Sequence, residues 1–188
     1  MNFLKINLPM DLTLILGPMK SGKSFELISH FAPLKYTSIP FILYQPEKNV
    51  RDTHIQSRNG VAIEATKAKT LEEALKGNYG VVGIDEANMF DESEADVVEK
   101  LLQKGTEVIV SSLDMDHQGR LFGIVRRLLE LGPKEVRYRR AVCEMCKTPN
   151  AVHTQVFKNG VPVTDEVPPV IPDDGTFEYK PVCRECFV

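Results

Sequence analysis

Gly17-Pro-Met-Lys-Ser-Gly22-Lys23-Ser24 carries the spacing G-x-x-x-x-G-K-S, a set of residue types suited to holding phosphate groups. The two glycines let the chain turn tightly, so that the amides of Gly17, Pro18, Met19, Lys20, Ser21 and Gly22 form a loop around a β-phosphate, proline alone lacking an N–H. Lys23 brings a positive charge to the β- and γ-phosphates, and the Ser24 hydroxyl can ligate Mg²⁺. A second group of chemistry-bearing residues is Asp85-Glu86, at the end of the apolar run Val81-Val-Gly-Ile84. Alone, such a pair would be read as a helix N-terminal cap. Beside a phosphate loop, two adjacent carboxylates can divide the work, Asp85 toward the metal and Glu86 toward the attacking nucleophile. Ala87 and Asn88 continue that turn on the nucleotide side. Together these residues imply binding of a nucleoside triphosphate with Mg²⁺.

The third group is cysteine. Cys143-x-x-Cys146 and Cys183-x-x-Cys186 are matched pairs, the spacing of two knuckles that hold zinc with four thiolates. A redox role is the competing reading, but redox Cys-x-x-Cys motifs rarely come in matched pairs. Four protein ligands leave no open coordination position, so the expected zinc is structural.

These groups need a frame. Leu12–Leu16 reads as a buried strand, and Phe25, Leu27, Ile28, Phe31 and Ala32 recur at helical spacing, predicting a helix over 22–32 that Pro33 ends or kinks. Phe41–Tyr44 predicts a second strand, closed by Gln45-Pro46. The polar segment from Glu47 to Gly60 reads as a mobile loop beside the nucleotide site. Further elements follow: a strand at 81–84, an amphipathic helix over 94–104, a strand at 108–110 running into Ser111-Ser112-Leu113-Asp114, a helix near 121–131 and a strand near 135–140. Alternating strands and helices predict an α/β fold of the P-loop (RecA-like) kind, a parallel sheet with helices on both faces and the ligand at the strands' C-terminal ends. The character changes at Ala141, where Pro and Gly become frequent and a strand-like run, Ala151–Phe157, separates the cysteine pairs. Residues 1–140 are therefore expected as the nucleotide-binding domain and 141–188 as a small zinc-ribbon domain.

Composition narrows the function. With 188 residues, 43% of them apolar and 26% charged, the chain can bury an ordinary globular core. A formal net charge of −3 gives no support to a nucleic-acid partner, which would want a basic face. The N-terminus shows no leader-like basic-then-apolar pattern, and Leu12–Leu16 is far too short to span a bilayer. The expectation is a soluble, cytoplasmic protein without membrane contact, in which paired cysteines bind metal rather than form disulfides.

In this order the motifs resemble the zinc-containing (type II) thymidine kinase family over essentially the whole chain. The resemblance rests on Gly17–Ser24, on Gly83-Ile-Asp-Glu-Ala-Asn-Met-Phe90, on Leu113-Asp114 and Phe122-Gly123, and on Ala141-Val-Cys-Glu-Met-Cys146 with Val182-Cys-Arg-Glu-Cys186. It implies transfer of the γ-phosphoryl of ATP to the 5′-hydroxyl of thymidine or deoxyuridine, with Glu86 as general base. The loop between the cysteine pairs corresponds to the family's lasso, which closes over the nucleoside. Met19, Arg51, Met89, Leu113, His117, Phe122, Thr154, Val170 and Tyr179 fall at the positions implied for nucleoside contact, His117 where the family usually has an aromatic ring. A homotetramer and inhibition by the end-product triphosphate are also implied. The chain departs from the family pattern at Lys20, which places a second positive charge in the phosphate loop, and at Asn88, Met89 and Gln45-Pro-Glu-Lys-Asn49-Val-Arg51. It departs again in the lasso, where Pro162, Pro168, Pro169 and Pro172 each remove a main-chain donor. Two alternatives remain beside thymidine kinase: a kinase for another or a modified deoxynucleoside, and a non-catalytic nucleotide-binding relative.

Overall fold

The computed structural model describes residues 11–48, 54–56, 62–164 and 176–188. Its centre is a six-stranded sheet made of β1 (Leu12–Leu16), β2 (Phe41–Pro46), β5 (Thr66–Ala68), β6 (Val81–Ile84), β7 (Glu107–Ser112) and β8 (Glu135–Tyr138). The strand order is β5-β2-β6-β7-β1-β8 and every pairing is parallel. The three central strands are runs of Leu, Ile and Val because a parallel sheet is buried on both faces. Along β1, Leu12, Leu14 and Leu16 enter one core and Ile15 the other, and β7 splits in the same way, Val108 and Val110 opposing Ile109.

Helices α2 (Glu94–Gln103) and α3 (Gly123–Glu130) pack on the first face, with Val98, Leu101, Val125 and Leu128 buried there. Helix α1 (Lys23–Phe31) covers the second face with Leu27, Ile28 and Phe31. The Phe31 ring lies directly over Gly83 of β6, where a Cβ would come within 2.8 Å of it. Glycine at that position lets the helix sit close to the sheet. The expected α/β layering, with helices on both faces, is the one observed.

The differences are local. Helix α1 stops at Phe31 and passes into a 3-10 turn, Ala32–Tyr36, with Pro33 in its first turn, where a missing N–H costs nothing. The segment read as a loop from Glu47 to Gly60 contains a strand, β3 (His54–Gln56), paired antiparallel with β4 (Ala62–Glu64); Arg51 lies outside the described residues. The edge strand β5 was not expected from the sequence. Thr-Lys-Ala has no apolar run, and the strand is held by its register with Tyr44-Gln45-Pro46.

Beyond the large sheet, β9 (His153–Lys158) is flanked by β10 (Val161–Pro162) and β11 (Glu178–Val182) in an antiparallel three-stranded sheet. Val182, at the end of β11, packs with Ala141, Cys143, Ala151 and Cys183 in a small separate core. The two Cys-x-x-Cys turns flank this sheet, the ribbon arrangement expected from their spacing. Most of the expected lasso, including Val170 and Pro168, Pro169 and Pro172, lies outside the described residues.

Candidate active site and metal centre

Strand β1 ends at Leu16 and Gly17 turns the chain with φ +143°, a conformation that side chains rarely adopt. A Cβ at Gly17 would lie 2.4 Å from the carbonyl oxygen of Arg139, just beyond β8, so the loop is seated tightly against the neighbouring strand. Gly22, at φ +84°, precedes α1, whose first turn has no side-chain cap. The N–H groups of that turn are thus available to an anion. Lys23 Nζ donates to the Pro18 carbonyl at 2.7 Å, folded back across the loop it is expected to serve. Burial lowers its ammonium from an ordinary 10.5 to about 8, against the opposing pull of Asp85, Glu86 and Asp114.

Those three carboxylates come from the C-terminal ends of two strands. Asp85 and Glu86 follow β6, and Asp114 follows β7. Ser24 Oγ lies 3.4 Å from Asp85 Oδ1, so the helix hydroxyl and the strand-end carboxylate share one spot, as binding of a hard cation requires. Burial raises the pKa of Asp85, with Ser111 and Lys23 acting in the opposite direction. Asp114 is raised for the same first reason and pulled back by backbone amides and Lys23. Glu86 is half-buried and has φ +50°, a left-handed backbone for a long side chain. Such strain persists where the surrounding structure over-determines it, and it clusters at functional sites.

Asn88 ties two strand ends together. It is buried, and its Oδ1 accepts from the Leu113 amide at 3.2 Å, while its own amide donates to Ser112 Oγ at 3.0 Å. The turn after β6 is thereby tied to the end of β7. Ala87 is buried beside it, and Met89 is half-buried in the same short 3-10 turn.

The residues implied for the nucleoside lie on the phosphate loop, the segment between β7 and α3, and strands β9 and β11. The Met19 amide donates to Thr154 Oγ1 of β9 at 2.9 Å, joining the phosphate loop to the three-stranded sheet. Leu113 is half-buried after β7, and Phe122 is buried just before α3. Between them Asp116 pins a tight turn by accepting from the amides of Gln118 at 2.9 Å and Arg120 at 3.0 Å. His117 lies in that turn, 4% exposed, with neither ring nitrogen hydrogen-bonded among the described residues. Tyr179 is half-buried on β11, in register with Val156.

The four cysteine sulfurs all lie within 4.8 Å of one another, and Cys146 Sγ is 3.7 Å from Cys183 Sγ. A tetrahedron with metal–sulfur bonds of about 2.3 Å has edges of roughly 3.8 Å, so the set fits zinc. Cys143 is drawn down to about 6: burial raises it, and the amides of Cys146, Cys183 and Met145 together outweigh that. Amides aimed at a sulfur favour the thiolate that a metal needs.

Sequence reasoning left three features of the site unassigned. Asp114 could have been found by the signal that identified Asp85, a carboxylate directly after a buried strand. Arg139 packs its carbonyl on Gly17 and its guanidinium on Glu26 at 3.2 Å, a contact between distant segments with no local signature. The partner of Lys20, expected as a second charge in the phosphate loop, is the third; its ammonium is ion-paired with Glu144, inside the first cysteine turn.

The sequence profile of thymidine kinase matches residues 10–187. A thymidine kinase of Mesomycoplasma hyopneumoniae strain 7448 is 35% identical over 178 residues, covering 92% of either chain. A thymidine kinase of Mycoplasma mobile is 33% identical over 177 residues, covering 92% of this chain and 84% of that one. The chain belongs to the thymidine kinase family.

Proposed function

We propose that this enzyme transfers the γ-phosphoryl of ATP to the 5′-hydroxyl of thymidine, and that Glu86 is the general base. The observation carrying this reading is the convergence of Lys23, Ser24, Asp85 and Glu86 at the C-terminal edge of the parallel sheet. Lys23, released from the Pro18 carbonyl by a nucleotide, would neutralise charge on the transferring phosphoryl group, where most of the rate acceleration of such reactions arises. Ser24 and Asp85 would hold Mg²⁺, which supplies charge neutralisation between the phosphates. Glu86 would accept the proton of the 5′-hydroxyl as its oxygen attacks phosphorus and ADP leaves. Met19, Leu113, Phe122, Thr154 and Tyr179 would enclose the nucleoside, and Arg51, Met89 and Val170 are assigned to the same role by the family pattern. His117 would stack on the base. Cys143, Cys146, Cys183 and Cys186 would hold a structural zinc. A division at residue 140 into a catalytic and a metal-bearing domain, a homotetramer and a cytoplasmic location belong to the same reading; among the described residues no helix is long and apolar enough to cross a membrane.

The test is a panel of thymidine, deoxyuridine, deoxycytidine and purine deoxynucleosides with ATP and Mg²⁺, followed by chromatography of the 5′-monophosphates. Thymidine is expected to show the highest kcat/KM. Turnover of some other nucleoside alone would overturn the substrate assignment and leave the kinase chemistry. The buried imidazole of His117, with both nitrogens unpartnered among the described residues, favours a base bearing a polar substituent as that other substrate.

A further inference from the structure

We propose that Lys20 and Glu144 form a strut by which the first cysteine turn sets the shape of the phosphate loop, so that Lys20 is a positioning residue for ATP and not a phosphate ligand. Lys20 sits in the loop with φ +64°, a left-handed backbone that a non-glycine residue keeps only where its surroundings over-determine it. Its ammonium is ion-paired with the Glu144 carboxylate, 124 residues away in sequence, and both side chains are partly exposed, at 29% and 30%.

Glu144 is itself fixed. Its amide donates to the Pro181 carbonyl at 2.9 Å, and it stands between Cys143, fully buried, and Cys146 in the turn that carries two of the four thiols. Two further contacts hold the same loop. The preceding residue, Met19, donates its amide to Thr154 Oγ1 at 2.9 Å, and Gly17 abuts the Arg139 carbonyl four residues before Cys143. The loop expected to grip the phosphates is therefore braced by Arg139 and by two residues of the cysteine-bearing segment, Glu144 and Thr154. A lysine engaged outward in this way cannot also reach inward to a phosphate.

The inference rests on the assignment of the loop to ATP, and the experiment separates the two. ATP·Mg²⁺ is titrated calorimetrically, without nucleoside, into the wild type, Lys20→Met, Glu144→Gln, the double variant, and the charge exchange Lys20→Glu/Glu144→Lys. Each single variant is expected to weaken ATP by about 2- to 5-fold, the range of partly exposed ion pairs. The double variant is expected to be no weaker than the worse single one, and the exchange to recover affinity. The KM for thymidine and the metal content should stay unchanged, which a general loss of structure would not allow. Lys20 acting as a direct phosphate ligand predicts the opposite for Glu144→Gln, which would release the ammonium and tighten ATP. Unchanged or tighter binding by Glu144→Gln, additive losses, or no recovery on exchange would overturn the strut. If Lys20→Met does not fold, the comparison of Glu144→Gln with the charge exchange still decides it. A wild type that does not bind ATP would instead contradict the assignment of the loop.

Discussion

Lys23 and Glu86 show how much of the site depends on single groups held against their own preference. Burial holds the free ammonium of Lys23 near 8, and bound phosphates would raise it again. Below pH 8 the lysine is charged in both states and ATP affinity should not depend on it. Above pH 8 the free enzyme must take up a proton to bind, so ATP affinity is expected to fall by up to about tenfold per pH unit. Calorimetric titrations between pH 6.5 and 9.5 would show this bend, and affinity unchanged across that range would contradict it. Both residues were legible from spacing alone, since their motifs place them at a strand end and a helix start. The bonding of Asn88 was not, because nothing local in Ala87-Asn88-Met89 indicates that the side chain is bound to Ser112 and Leu113 at the end of another strand. Lys20 was legible as a charge and its partner was not, since only tertiary structure brings Glu144 to it.

At the scale of elements, β1, β6, β7 and the three helices follow from hydrophobic periodicity because their burial is regular. The short strands β3, β4 and β5 have only three residues each and little apolar content, so pairing rather than pattern defines them. The helix–sheet contact at Gly83 gives a stability prediction. In Gly83→Ala the new methyl meets the Phe31 ring at 2.8 Å and Leu43 at 3.0 Å. Overpacking of this kind typically costs about 1–3 kcal/mol. Urea denaturation should show a lower midpoint with an unchanged slope, and a midpoint equal to that of the wild type would mean that α1 shifts freely on the sheet.

For the molecule as a whole, the large sheet and the cysteine-bearing sheet meet at the phosphate loop through Met19–Thr154 and Lys20–Glu144. The matched cysteine pairs announced a metal centre, but their nearness to the loop is a matter of topology and was not written in their spacing. Cys183→Ser should release the metal, measured by atomic absorption, and lower the melting temperature. Each kcal/mol of stability lost with the metal corresponds to a fall of about 2–4 °C in a chain of this size. Unchanged metal content would contradict the four-thiolate assignment.

The most direct measurement compares dTMP formation by the wild type and Glu86→Gln at saturating ATP·Mg²⁺ and thymidine, with ATP affinity measured in parallel. One dTMP per ADP is expected from the wild type. The variant should show a kcat at least about 100-fold lower, since a general base contributes 10²–10⁴-fold, with ATP affinity little changed. A variant that keeps more than about a tenth of kcat would contradict the role given to Glu86, and a wild type that forms no dTMP would contradict thymidine kinase activity itself.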